Sequence, residues 1–381
     1  VTTEMRIGFD GKRAVQNFTG LGNYSRYVAD ILCHFYPEND YVLYAPKKRE
    51  NKRMNLLTGQ YRQLTLAYPA TSFWKKLSSL WRVWGITSQL EKEGIELFHG
   101  LSNELPLNIH KSRIKSIVTI HDLIFLRYPQ YYQSIDRKIY TYKFRKACEN
   151  ADKIIAISEC TKRDITRYFN IPDDKIEVVY QGCDVSFTHP VTEEKKEEVR
   201  KKYQLPDHYI LNVGSIEERK NILAAVQALP MLPQHIHIVI VGRRTGYTKK
   251  VEQFIKDNGL GERVHIISNV PFNDLPAFYQ SAEIFVYPSR FEGFGIPIIE
   301  ALYSGIPVVA ATGSCLEEAG GPDSIYVNPD DITGLADAFK QIYSNSDKRK
   351  NMVEKGREFA KRFSEKQQSE EIINIYKKLI R

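Results

Sequence analysis

Ser289-Arg290-Phe291-Glu292-Gly293-Phe294-Gly295-Ile296-Pro297-Ile298-Ile299-Glu300-Ala301-Leu302 is the stretch on which the reading of the fold turns. The apolar run 284–287 before it reads as a strand, and the two glycines after it as a turn. Pro297 suits the first turn of a helix, where its missing N–H costs nothing and its φ is already helical. Strand, glycine turn and helix in that order make a βα unit. The first N–H groups of such a helix have no intrahelical partner and sit at the positive end of its dipole, so an anion is favoured there. Glu292 stands just before the turn and Glu300 about one turn into the helix. Two carboxylates so placed can accept hydrogen bonds from the vicinal hydroxyls of a polyol. The plainer alternative is a solvated glutamate beside a glycine turn that holds no ligand.

The same alternation runs outward in both directions. A length of 381 residues suits two domains at ~100–200 residues each. Strands are expected at 5–9, 41–45, 64–67, 97–99, 117–121, 154–158 and 176–180, then at 209–213, 236–241, 264–267, 284–287, 308–310 and 325–327. Most are rich in Val and Ile and bounded by Gly, Pro, Asp or Asn, as in a parallel sheet buried on both faces. Amphipathic stretches between them imply βαβ units and an α/β fold of two doubly wound, Rossmann-like domains. The pattern pauses after Gln181-Gly182-Cys183-Asp184, which places a linker in 182–192. The expected division is 1–185, 186–360 and a helical segment 361–381, whose Ile372, Ile373, Ile375 and Leu379 can pack on either domain. Ligands of open α/β sheets lie at the carboxyl ends of strands, so the chemistry is expected in a cleft between two facing domains.

Composition narrows the class. With 42% hydrophobic and 26% charged residues the chain is too apolar to be disordered. Lys plus Arg number 54 and Asp plus Glu 46, a net charge of +8 that favours anionic ligands or an anionic membrane surface but is too small to name nucleic acid. Five scattered cysteines with no C-x-x-C read as reduced thiols, neither a disulfide frame nor a zinc site. No apolar run approaches the ~20 residues of a membrane span, and no signal-like segment opens the sequence. A cytoplasmic protein, peripheral on a membrane at most, is expected.

Further motifs follow strand ends. Gly214 allows close backbone approach, and Arg219-Lys220 stand before a helix that Asn221 can cap. Cations at a helix start oppose its dipole, so this pair suits a diphosphate better than it suits stability; a basic solvated loop is the alternative. Gly20-Leu21-Gly22 resembles a phosphate-binding turn without its third glycine, or a simple helix start. His121-Asp122 ends an apolar strand, where His121 either meets a substrate hydroxyl or is satisfied internally. His235-x-His237 has no nearby acid or cysteine and reads as structural. Helical spacing puts Trp74, Leu77, Trp81 and Trp84 on one face beside Lys75, Lys76 and Arg82, which fits either an interfacial helix on an anionic membrane or a core-facing one. Walker A and Gly-x-Ser-x-Gly sequences are absent.

Taken together these residues resemble the retaining GT-B glycosyltransferases of family 4 (group 1), with the mannosyltransferase-B-like enzymes as the subgroup. The likeness spans nearly the whole chain. It rests on Gly20-Leu21-Gly22, His121-Asp122, Ser158-Glu159, Gly214 with Arg219-Lys220-Asn221, and above all the two acids Glu292 and Glu300. Cys315 departs from the proline often found at its place. The resemblance implies a nucleotide-sugar donor, leaning to GDP-mannose, and a glycan or lipid-linked acceptor in surface polysaccharide assembly. It also implies roles: Arg219 and Lys220 on the diphosphate, Gly20, Leu21 and Gly22 approaching it, Glu300 on the ribose. Glu292 with Gly293, Phe294 and Gly295 would hold the transferred sugar, and His121 would lie near its anomeric centre. No metal or organic cofactor is expected. A GT-B-shaped epimerase or phosphorylase, and a non-catalytic anion- or nucleic-acid-binding protein, are the other readings.

Overall fold

The computed structural model describes residues 4–17 and 19–380. They fall into two compact units: one holds the residues up to Gln181 together with those from Glu365 onward, the other runs from Gly182 to Ser364.

Seven strands make the sheet of the first unit: β1 (Arg6–Asp10), β2 (Asp40–Tyr44), β3 (Leu64–Ala67), β4 (Leu97–Gly100), β5 (Lys115–Ile120), β6 (Lys153–Ala156) and β7 (Ile176–Val178). Their order is β3-β2-β1-β4-β5-β6-β7, and every pair is parallel. Six strands make the second: β8 (Tyr209–Val213), β9 (His237–Val241), β10 (Val264–Ile267), β11 (Ile284–Tyr287), β12 (Val308–Ala311) and β13 (Ile325–Val327). They run β10-β9-β8-β11-β12-β13, again all parallel. Central strands such as β11, Ile284-Phe285-Val286-Tyr287, are buried on both faces, which is why they read as unbroken apolar runs. In each sheet the chain winds outward one way and then the other. That leaves a switch point between β1 and β4 in the first and between β8 and β11 in the second.

The last helix, Glu365–Ile380, packs in the first unit against the helix Gly20–Phe35. Ile372, Ile373, Ile375 and Tyr376 are buried in one cluster with Val28, Ile31 and Leu32. Burial of each aliphatic side chain contributes ~1.5–3 kcal/mol. The Tyr376 hydroxyl lies 2.6 Å from His99 Nδ1, and His99 Nε2 lies 2.8 Å from Thr119 Oγ1, so a polar chain fastens the helix to the sheet. Burial pushes the His99 imidazole down to about 3, which keeps it neutral.

The tryptophan segment departs from the single helix expected. It breaks into Ser72–Lys76, Ser78–Leu80 and a π-turn Trp81–Gly85 before continuing as Ile86–Lys92. Gly85 lies under the Trp74 indole, where an added Cβ would come within 2.6 Å of Cε2. Trp81 has no exposed surface, and its Nε1 donates to Gln89 Oε1 at 3.1 Å. Trp81 therefore cannot touch a membrane, and the expectation that grouped it with Trp74 and Trp84 is corrected. Trp74 is half-buried against the core, and only Trp84 is exposed. Arg82 is likewise no interfacial cation. It donates to Asp10 through Nε at 3.1 Å and Nη2 at 2.5 Å, and to Glu104 through Nη1 at 2.6 Å.

Candidate donor site and family

In the second unit the loops after β8 and β11 flank the switch point, and the two strongest motifs meet there. Arg219 Nη1 lies 2.9 Å from Glu292 Oε2, and Lys220 Nζ lies 3.6 Å from Oε1. Ser289 Oγ donates to the same Oε1 at 2.9 Å, and the Tyr287 hydroxyl at 3.2 Å. Arg219 also donates to the Phe291 carbonyl, while the Arg290 N–H donates to the Arg219 carbonyl at 2.9 Å. Two loops over seventy residues apart in sequence are thus pinned together through both backbone and side chains. Burial alone would raise the Glu292 carboxyl, but Lys220 and Arg219 hold it below the usual carboxylate range. Burial works against the charges of Arg219 and Lys220 too, and Glu292 overrides it, keeping both firmly protonated. The three groups, each half-buried, carry one net positive charge.

Glycine is required at specific points of this cluster. Gly214 has φ +154°, and an added Cβ would meet Lys220 Nζ at 3.1 Å. Gly242, after β9, lies against it: a Cβ there would fall 1.8 Å from the Gly214 carbonyl oxygen. Gly295 precedes the helix Ile296–Ser304, where a Cβ would press on Ala319 at 3.1 Å. Cys315 Sγ lies 3.0 Å from the Glu292 carbonyl oxygen and 2.8 Å from that of Phe294, bracing the segment that holds Gly293.

Asn221 departs from the capping role expected. It stands at the N-cap position of the helix Ile222–Ala228 in a left-handed conformation, φ 55°, and makes no side-chain cap. Its Nδ2 instead donates to the carbonyls of Pro329 at 2.8 Å and Pro288 at 3.3 Å, joining three strand-end loops. Glu300 lies on the Ile296–Ser304 helix and accepts a 2.6 Å hydrogen bond from the Tyr279 hydroxyl. Burial, with the Asp184 charge adding to it against the Tyr279 bond, pushes its carboxyl up to about 7. Glu292 and Glu300 therefore differ in kind: one is held ionised by cations, the other titrates near neutrality.

The first unit holds the remaining candidates. Gly20 opens the helix Gly20–Phe35 with nothing near its Cβ position, whereas a Cβ on Gly22 would fall 1.9 Å from the Asn17 carbonyl oxygen. Gly22 is thus fixed by packing against the preceding loop, with Leu21 between the two glycines on the same first turn. His121 follows β5 and is buried: Nε2 lies 2.9 Å from the Leu101 carbonyl oxygen, Nδ1 3.2 Å from Gln181 Nε2, and Tyr24 packs edge-on at 4.6 Å. Burial pushes its imidazole down to about 4, so it is neutral at pH 7, Nε2 donating and Nδ1 accepting. Sequence reasoning gave no role to Tyr287, a strand end, to Ser289, the first residue of the decisive stretch, or to Tyr279, and missed the Asp10–Arg82–Glu104 triad, whose members lie far apart in sequence. His237, expected to be structural, pairs with His265 through Nδ1 and Nε2 at 3.0 Å. Among the described residues no three His, Cys, Asp or Glu side chains converge as a metal site, and all five cysteines are buried thiols.

Two parallel doubly wound sheets, the second with cations and a carboxylate at its switch point, define a GT-B glycosyltransferase. Similar chains agree. "Glycosyl transferases group 1" matches residues 193–359, and "Glycosyltransferase Family 4" matches 25–187. O-antigen chain mannosyltransferase B of Escherichia coli is 30% identical over 289 residues, 74% of each chain. O-antigen chain mannosyltransferase RfbU of Salmonella typhimurium is 29% identical over 59% of this chain and 60% of its own. A glycosyltransferase of Rickettsia africae superposes with TM-score 0.79 at 20% identity over the whole of both chains. Anabaena Alr3699/HepE, solved with UDP and glucose, superposes with TM-score 0.77 at 17% identity over 99% of this chain and 100% of its own. The chain belongs to the group 1, family 4 glycosyltransferases.

Proposed function

We propose that the protein moves a mannosyl residue from GDP-mannose to a glycan or lipid-linked acceptor in surface polysaccharide assembly, with retention at the anomeric carbon and without a metal ion. The observation that carries this reading is the pair of half-buried cations, Arg219 and Lys220, converging on Glu292 at the β8/β11 switch point. A sugar diphosphate needs positive charge where its phosphate leaves, and these two groups supply it from fixed positions. The mannose lean comes from the E. coli and Salmonella relatives, both mannosyltransferases.

In this reading Arg219 and Lys220 bind the diphosphate, aided by the Gly214 backbone, while Asn221 holds the three loops together. Glu300 takes the ribose diol. Glu292, with Gly293, Phe294 and Gly295, orients the mannose hydroxyls. The acceptor oxygen attacks on the face from which the diphosphate departs. As that C–O bond forms and the bond to the phosphate oxygen breaks, the diphosphate takes the acceptor's proton. His121, neutral and held on both nitrogens, positions the β5 end and moves no proton. Gly20, Leu21 and Gly22 form the corresponding helix start of the first unit.

Donor turnover with candidate acceptors tests the proposal. Lys220→Ala should lower kcat by roughly 10²–10³, as loss of one preorganised charge donor does. Glu300→Ala should mainly raise KM for the donor. Mannose transfer unchanged in both variants, or an inverted product by NMR, would refute it.

A further inference from the structure

We propose that the first unit docks on an anionic lipid surface through two neighbouring amphipathic elements, residues 72–85 and the helix Ser134–Asn150. The first carries two apolar stripes. Trp74, Ser78 and Trp81 face inward, while Phe73, Leu77, Leu80 and Trp84, at the same helical spacing, keep 38–61% of their surface exposed. The core has already claimed one stripe, so the second has no partner inside the fold. Exposed Lys75 and Lys76 stand between its apolar tips, and no Asp or Glu occurs from residue 71 to 90.

The second element repeats the design. Its inner side packs through Ala147, Cys148 and Phe144, the last edge-on to Phe125 at 5.3 Å. Its outer side shows Ile135, Ile139 and Tyr142 at positions i, i+4 and i+7, with 45–69% of their surface exposed. Exposed Lys138 and Arg145 flank them. The elements are joined at Glu104, which lies 2.6 Å from Arg82 on the first and 3.6 Å from Lys143 on the second.

Charge names the occupant. The first unit has 32 Lys and Arg against 22 Asp and Glu, the second 22 against 24, so the whole positive surplus lies on the first. Nine of the eleven exposed large hydrophobic side chains among the described residues lie there too. Apolar tips among cations, with no acid on the first element and only Asp136 and Glu149 on the second, match a layer of anionic headgroups over acyl chains, into which Phe and Trp insert while Lys stems reach back to phosphate. No described helix is long and apolar enough to cross a membrane, so the contact lies in the interface plane.

The test is co-sedimentation of the full chain with phosphatidylcholine vesicles, with and without phosphatidylglycerol, beside quenching of Trp84 fluorescence by brominated acyl chains. Wild type should bind the anionic vesicles at low salt and show quenching. Phe73→Ser with Trp84→Ser should lower the bound fraction at least about tenfold, as should Lys75→Glu with Lys76→Glu. Both variants replace exposed side chains and should keep the thermal stability and the GDP-mannose-induced shift of wild type, which separates this proposal from the transferase reading. Three results would overturn it: no vesicle binding by wild type, equal binding by the Phe73/Trp84 variant, or a concentration-dependent dimer without vesicle binding that this variant abolishes.

Discussion

At the scale of single residues, the two glutamates of the decisive stretch have been given opposite electrostatic surroundings. Glu292 sits among cations; Glu300 sits among a tyrosine, apolar walls and a distant aspartate charge. Burial holds the Glu300 carboxyl up at about 7 in the folded chain, against an ordinary value of 4.5 when unfolded. Between those values the folded state holds a proton that the unfolded state has lost, so stability falls as pH rises through this window. Glu300→Gln removes that penalty: its melting temperature relative to wild type should rise between pH 5 and pH 8, and an unchanged difference would show that Glu300 is ionised throughout. The two acids themselves were legible, because glycine, proline and carboxylate types coincide in one loop. Their contrast was not, because it depends on hydrogen bonds from Tyr279, Tyr287 and Ser289 that only the folded chain brings to the two acids.

Secondary-structure elements were the most readable level. All thirteen strands fall where apolar runs predict them, since strands of a parallel sheet covered on both faces read as near-continuous apolar runs. The tryptophan segment failed for a related reason. Both of its stripes are largely apolar, so periodicity cannot tell which one is buried, nor does it show that the Trp74 indole lies over Gly85 eleven residues on. Elements also explain Gly242, which no motif flagged. Its hydrogen must lie where a methyl would strike the Gly214 carbonyl, so Gly242→Ala forces the β8 and β9 ends apart. That overpacking should cost about 1–3 kcal/mol by denaturant melts and weaken donor binding as well. A variant of wild-type stability and affinity would show that the backbone yields without disturbing the loop.

For the molecule as a whole, two sheets with the same winding rule put their switch points under different loops: Arg82 meets Asp10 and Glu104 at the first, and Arg219 and Lys220 meet Glu292 at the second. The sequence carries this assignment through the order of its strands, while the convergence of Arg219 and Glu292 needed the sheet to bring distant loops together. The destination of the final helix was equally closed to sequence, since an apolar stripe fits any core. Its anchor gives a test. Tyr376→Ala should cost about 3–5 kcal/mol, as truncation of a large buried aromatic does. Hydrogen exchange should then quicken in β1, β4 and β5 and leave β8 and β11 as protected as before. Uniform loss across both sheets would instead mean that the units melt as one.

Because Glu365–Ile380 completes the unit built from the chain's opening residues, synthesis order and folding order are reversed. On the ribosome, the segment from Gly182 to Ser364 is whole before the earlier-made unit receives its closing piece. Until Glu365–Ile380 emerges, the hydrophobic seat on Gly20–Phe35 lies bare in the nascent chain.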